Sequence, residues 1–203
     1  MTRTDRRLPP WAVSARAGTN AVVTGALLGV LQWGVLVWLA SYLSSTALVY
    51  LLNTTVWLVG SVAGLLAPGR RFEWAWLAAA MAAHAACRAL AVSHPYDLSA
   101  LPALLACVAV MGAYAGRFFR FRAPAFPKVK WLLFLENTGF VLGLLGAVLA
   151  LFVLGERALV LLPWPLFAVA LATVPGPAQS PEAPEPASAL PRSSTTGTSD
   201  RGA

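Results

Sequence analysis

Six apolar stretches, separated by short polar or basic segments, set the pattern of this chain. Crossing about 30 Å of hydrocarbon takes roughly 20 helical residues, within a range of about 17 to 25. The first five stretches fall within this range and the sixth is one residue short of it, the fourth and sixth being the shortest. Together they predict an all-α polytopic bundle of six transmembrane helices. The predicted spans are residues 19–43, 46–67, 74–92, 99–116, 131–154 and 158–173.

The sixth span is the weakest of these predictions, because Pro163 and Pro165 interrupt it. Proline is tolerated at membrane depth where neighbouring groups satisfy the carbonyls that it frees. A bundle of five spans followed by a re-entrant or interfacial segment is therefore kept as the alternative.

The overall composition agrees with a membrane protein. Hydrophobic residues make up 58% of the 203 residues and charged residues only 11%, whereas about a quarter of an ordinary soluble domain is charged. The net charge of +7 does not indicate a nucleic-acid binder, because that function needs a soluble basic face with groups that position it. Here the basic residues lie between apolar runs, where they encode orientation.

The distribution of those basic residues predicts which side each loop faces, since cytoplasmic loops carry an excess of Lys and Arg. Arg157 is the one such residue in the loops after the first, third and fifth spans, which also contain Asp97 and Glu156. Both termini are therefore predicted to be cytoplasmic, and a bacterial cytoplasmic membrane fits this pattern. The residues assigned to the cytoplasmic side are Arg3, Arg6, Arg7, Arg16, Arg70, Arg71, Arg117, Arg120, Arg122, Lys128 and Lys130.

Two terminal segments are predicted to lie outside the bundle. Residues 1–18 form a basic cytoplasmic segment, and residues 174–203 form a cytoplasmic tail rich in Pro, Ser and Thr. The tail cannot bury enough apolar surface to offset the entropy of ordering, so it is predicted to be disordered. In the predicted cytoplasmic loop between the fourth and fifth spans, residues 117–130 alternate basic and aromatic residues, which suits contact with anionic lipid headgroups.

Small residues mark one face on each of three predicted helices, namely the first, the second and the fifth. In lipid, helices gain little by burying apolar surface, so they associate over small residues and through buried hydrogen bonds. The first and fifth helices also share a TGxxxG pattern. The three helices are therefore predicted to form the core of the bundle. The predicted packing glycines are Gly25, Gly29, Gly60, Gly64, Gly139 and Gly143.

Polar residues fall on the same faces as these glycines. Gln32 follows Gly29 by three residues, and Asn53 precedes Gly60 by seven, spacings that keep residues on one side of an α-helix. At about 1.5 Å of rise per residue, Gln32, Asn53 and Arg88 all lie about 20 Å from the cytoplasmic ends of their helices. They are predicted to form a polar layer in the outer half, with Arg88 able to extend outward toward Asp97.

Glu136 is the ionisable residue within the fifth predicted span, and such residues are functional candidates by default. It lies at a depth of only about 8 Å, out of register with Arg88. Its partner is instead expected at the cytoplasmic rim. The alternatives to such anchoring are handling of a proton or of a cation. The candidate partners are Arg16, Arg70, Arg71 and Arg117.

One constellation suggests catalysis. His84, Cys87 and Arg88 share a face of the third helix, and a nearby histidine and cation can lower the pKa of a thiol and make it nucleophilic. The chain otherwise lacks phosphate-loop, dinucleotide, zinc-protease and serine-hydrolase motifs. Cys87 and Cys107 belong to no CxxC or His/Cys pattern, so no metal, disulfide or cofactor is predicted.

The leading interpretation is a non-enzymatic multi-pass membrane protein. It is either a small permease-like carrier or a subunit of a membrane assembly, with membrane-protein partners or further copies of itself. An intramembrane enzyme that uses the His84, Cys87 and Arg88 face is the alternative.

Overall fold

A computed structural model describes residues 15–43, 46–68 and 73–174, with the side chains of residues 43 and 46 left aside. The described part of the chain is all-helical in class and contains no strand, as predicted. Residues 1–14 and the predicted tail from residue 175 onward lie outside it. The helices are α1 (Ala15–Leu43), α2 (Thr46–Leu66), α3 (Glu73–Ser93), α4 (Leu101–Arg122), α5 (Val129–Leu154), α6 (Arg157–Leu161) and α7 (Pro163–Thr173), with 3₁₀ turns at Leu98–Ala100 and Ala123–Ala125.

Within the described ranges, five helices, α1 to α5, are long and apolar enough to cross a membrane. The sixth predicted span is shorter: Arg157–Thr173 is a 17-residue apolar segment. It is divided into α6 and α7 at Leu162, where Pro163 opens α7. Proline suits a first helical turn, where its missing N–H has no intrahelical partner to lose. The segment predicted as the sixth span is therefore divided at its proline-containing part, where the sequence had made the prediction weakest.

The α6–α7 segment runs antiparallel to α1. Near its beginning, the Leu159 side chain lies beside Gly34. Near its end, Asn20 Nδ2 donates a 3.0 Å hydrogen bond to the Ala170 carbonyl, and Arg16 donates to the carbonyls of Ala172 and Val174. These bonds satisfy the C-terminal carbonyls that a helix leaves open. The start of α1 and the end of α7 consequently lie at the same end of the bundle.

The helices form two halves. In one half, α1 packs along α5 and along α7, with α6 beside α5; in the other, α4 packs along both α2 and α3. Contacts between the halves are sparser and involve mainly α1 with α2, α3 and α4, and α3 with α7. We call these units the α1 half and the α4 half, and the boundary between them the seam.

Glycines bring α1 and α5 into backbone contact. A Cβ added at Gly25 would overlap the carbonyl of Glu136, and one added at Gly139 would overlap the carbonyl of Val22. The contact repeats one turn later, where Gly29 meets Phe140. Contacts that advance together along both helices show that α1 and α5 run parallel. This is the close crossing over small residues that GxxxG motifs permit.

A second parallel pair, α2 and α4, is built in the same way. Gly60 and Gly64 meet the carbonyls of Ala109 and Ala113, while Gly112 and Gly116 of α4 meet those of Trp57 and Ser61. The GxxxG motif formed by Gly112 and Gly116 was not among the predicted packing glycines. The predicted span ends at residue 116, whereas the helix continues to Arg122, so that Gly116 lies well inside it.

The predicted core of the first, second and fifth helices is wrong in part. The most enclosed of the long helices is α1, whereas α5 is the least enclosed, and the glycines of α2 face α4. The physical reason is that a small-residue face reports one close helix contact. It does not report a central position, because a peripheral helix needs such a contact as much as a central one.

Three of the basic residues after residue 116, namely Arg117, Arg120 and Arg122, belong to α4 and not to a loop. Arg117 and Arg120 donate hydrogen bonds to carbonyls at the end of α2, including that of Ala67. Arg122 forms a 2.6 Å ion pair with Glu73 in the first turn of α3. Among the basic residues of the predicted headgroup-binding segment 117–130, Lys128 and Lys130 are exposed.

Adding a methyl group at Gly143 should weaken the α1–α5 pair, because its Cβ would overlap the carbonyl of Ala26. We expect Gly143→Ala to lower the free energy of unfolding by about 1–3 kcal/mol, as overpacking does elsewhere. Gly146→Ala is the matched control on the same helix, since a Cβ there meets nothing within 4 Å. Thermal unfolding in detergent compares the two variants, and equal melting temperatures would contradict this packing.

Candidate functional site

Glu136 lies on the seam, about two turns into α5. Its backbone carbonyl faces Gly25, and the residue is only 7% exposed. Beside it is a groove of about 280 Å³. The groove is lined from the α1 half by Leu28, Leu133, Glu136, Asn137 and Phe140, and from the α4 half by Trp57, Leu58, Ser61, Ala115 and Phe119.

No ion pair or side-chain hydrogen bond engages Glu136 among the residues that the structure describes. Two of the expected rim partners are directed elsewhere. Arg16 bonds the end of α7, and Arg117 bonds Ala67 and lies over the Trp76 ring at 5.2 Å. The other two, residues 70 and 71, lie outside the described ranges. The groove therefore contains a buried carboxyl group that no described cation neutralises.

The predicted polar layer of Gln32, Asn53 and Arg88 is not a connected network. Gln32 and Arg88 are half-buried, and Asn53 is buried with no partner for its Oδ1. Within the described chain, no hydrogen bond joins any of the three to another. Equal depth in three helices does not bring side chains together when their faces point to different neighbours. Arg88, for example, lines a cleft next to the turn between α5 and α6.

Asp97, the residue toward which Arg88 was expected to extend, has other partners. Its Oδ1 accepts a 2.9 Å hydrogen bond from the Ser99 N–H, and its Oδ2 lies 3.9 Å from His94 Nδ1. The hydrogen bonding with Ser99, followed by the smaller effect of His94, holds the pKa of the Asp97 carboxyl below its usual value. Asp97 thus caps the 3₁₀ turn before α4.

His84 and Cys87 are both buried in helix packing. His84 Nε2 lies 3.3 Å from the Leu159 carbonyl, and its ring packs against Trp38 at 4.7 Å between centroids. Cys87 is fully buried, and neither residue lines any of the three clefts described in the structure. A reactive thiol has to be reached by its substrate. The geometry therefore supports a packing role across the seam and not the predicted catalytic one.

All three clefts lie between the two halves. The largest, of about 640 Å³, separates Arg88 of α3 from the α5–α6 turn. A neighbouring cleft of about 360 Å³ lies between α1 at Trp38 and Tyr42 and the end of α3. The third is the Glu136 groove. These three clefts thus lie on the seam, whereas the two glycine-lined crossings within the halves are closed by backbone contact.

In comparisons with known proteins, no family model, curated protein or solved structure matches the chain. Within the described ranges, no group of three or more His, Cys, Asp or Glu side chains is placed to hold a metal ion. The candidate site is therefore defined by its own contacts, and Glu136 is its central residue.

The burial of Cys87 can be tested by thiol labelling. We expect Cys87 in a Cys107→Ala background to resist a membrane-impermeant maleimide, because no atom of Cys87 reaches the surface. Ser93→Cys, at the exposed end of the same helix, should react in the same preparation. Labelling is read by mass spectrometry before and after unfolding in dodecyl sulfate. Reaction of native Cys87 as fast as the Ser93→Cys control would restore the catalytic interpretation.

Proposed function

We propose that the chain is a multi-pass membrane protein that acts as a small permease-like carrier and takes up a proton or a cation at Glu136. The observation that carries the proposal is the buried residue Glu136, which lines a groove on the seam and has no ionic partner among the described residues. The distribution of basic residues supports an orientation with both ends of the bundle in the cytoplasm of a bacterial cell.

The construction of the two halves supports alternating access. In each half, one helix pair is held together by backbone contact over four glycines, so the pair moves as a unit. Secondary transporters commonly rock one such bundle against another around a site between them. Here the clefts lie on the seam, where the contacts are sparser. Movement along the seam changes the groove without breaking either glycine crossing.

The chemistry of Glu136 supports a proton or cation as the coupling species. An ionised carboxylate in an apolar environment is costly unless an opposite charge or a proton offsets it. The groove also offers the Asn137 side chain and the Ser61 hydroxyl, although Ser61 Oγ donates to the Trp57 carbonyl at 2.9 Å. Oxygen ligands of this kind suit a small cation.

Replacing Glu136 should remove the coupling. In proteoliposomes loaded with a pH-sensitive dye, we expect gradients of sodium, potassium or small amines to move protons in the wild-type protein. Glu136→Gln should reduce this flux by at least about tenfold, because the amide keeps the shape but carries no exchangeable charge. Two control variants, Asp97→Asn and Cys87→Ala, should keep the wild-type flux. Asp97 is an exposed carboxylate, and asparagine can form the same cap.

Two results would contradict the carrier. One is equal flux in wild-type and Glu136→Gln vesicles. The other is wild-type vesicles that move no protons under any of these gradients while the protein retains its native melting temperature.

A subunit of a membrane assembly is the second candidate, and exposed Asn137 favours it. Asn137 is an exposed amide on α5, beside the groove. Within a bilayer such a group gains by bonding across to another helix, with measured contributions of about 0.6 to 2 kcal/mol. A partner helix with a polar residue, or a second copy of the chain, would satisfy it.

Recovery of partners in mild detergent tests this second candidate. Asn137→Leu should lower the amount of any co-purified membrane protein, or the dimer fraction, by severalfold, because the interhelical hydrogen bond is lost. The control is Leu142→Val, which changes an exposed apolar position of α5 without adding a polar group. Equal recovery with both variants would count against an assembly through this face.

A further inference from the structure

The largest cleft lies at the end of the bundle opposite the start of α1, between α3 and the turn that joins α5 to α6. Its walls comprise Leu154, Gly155, Glu156, Arg157, Val160 and Leu161 from the α1 half and Arg88 from the α4 half. None of these residues lines the Glu136 groove. No ligand has been assigned above to this cleft.

The lining of this cleft is positively charged. It contains two arginines, Arg88 and Arg157, and one carboxylate, Glu156, so it carries a formal charge of +1 (two cations less one anion). Neither arginine forms an ion pair in the described chain, and Arg88 Nε is buried without a hydrogen-bond partner. Buried donors in folded proteins are normally satisfied. An anion in the cleft would supply what Arg88 lacks.

The apolar part of the lining restricts the kind of anion. Leu154 and Leu161 are 61% and 63% exposed, and they lie within one or two turns of Glu156 and Arg157. A ligand with a charged end and an apolar body fits such a wall better than a small hydrated ion does. Arginine is also the residue best suited to hold phosphate oxygens in a forked geometry.

We propose that this cleft binds a phosphate group, held by Arg88 from one half and Arg157 from the other. The group belongs either to the headgroup of a phospholipid, with its acyl chains along Leu154 and Leu161, or to free phosphate. A phosphate in this position bridges the seam, because its two arginines belong to different halves. The inference is independent of the carrier function proposed for Glu136.

Native mass spectrometry of the full chain in detergent tests the site. The probes are phosphatidylglycerol, diacylglycerol, which lacks the phosphate, and inorganic phosphate as a competitor. We expect phosphatidylglycerol adducts at a fixed lipid ratio, few with diacylglycerol, and a loss of about tenfold in Arg88→Gln, as for a hydrogen bond to a charged group. Arg157→Gln should lose severalfold. Lys130→Gln removes the same charge at the far end of the bundle and should lose less than about twofold.

The outcomes separate the sources and the alternatives. Adducts that persist in millimolar inorganic phosphate assign the site to a lipid headgroup, and their displacement assigns it to free phosphate. If Arg88→Gln does not fold, Arg88→Lys keeps the charge without the fork and should show an intermediate loss. Equal adduct levels in Arg88→Gln, or in Arg88→Lys, and in Lys130→Gln would overturn the proposal, as would diacylglycerol retained as well as phosphatidylglycerol.

Discussion

The contact between a glycine Cα and the carbonyl oxygen of a facing helix is the constraint on which this bundle depends. Lipid offers no hydrophobic gain for bringing two apolar helices together, so attraction has to come from close packing and from polar groups. Backbones approach closely only where no Cβ intervenes, as at Gly25 against Glu136 and at Gly64 against Ala113. Such approaches also bring Cα–H groups to carbonyl oxygens, a weak but recurring attraction.

Two consequences follow for the rest of the molecule. Because each crossing uses glycines from both helices, α1 is matched to α5 and α2 to α4, and the remaining helices attach to these pairs. Because the crossings leave no space, the three clefts described above lie between the two halves and not inside the glycine-lined pairs. The seam is therefore the place where a polar group can lie within the bundle and still have room for a ligand.

The sequence predicts the glycine faces more readily than their partners. Spacing of four residues identifies the face of one helix, but it contains no information on which other helix lies there, and the pairing of α2 with α4 was missed for that reason. The sequence places Arg117, Arg120 and Arg122 in a loop. The fourth predicted helix therefore ends at Gly116, and its glycine face is not recognised as a packing face. Likewise, the depth of a residue along its helix follows from residue count, whereas the direction in which it points around the helix axis depends on packing. Arg88 and Asn53 share a depth but point in different directions.

The pairing of charged groups distinguishes structural from functional candidates in a way that residue type alone does not. Arg120 satisfies the carbonyls at the end of α2, and Arg122 neutralises Glu73. These charges complete the fold, since a buried ion that loses its partner costs several kcal/mol. Glu136 and Arg88 have no such partner in the described chain, and each lines a cleft on the seam. Arg120 and Arg122 thus have structural partners, whereas Glu136 and Arg88 face clefts, and this difference is the reason for proposing that the latter two bind ligands.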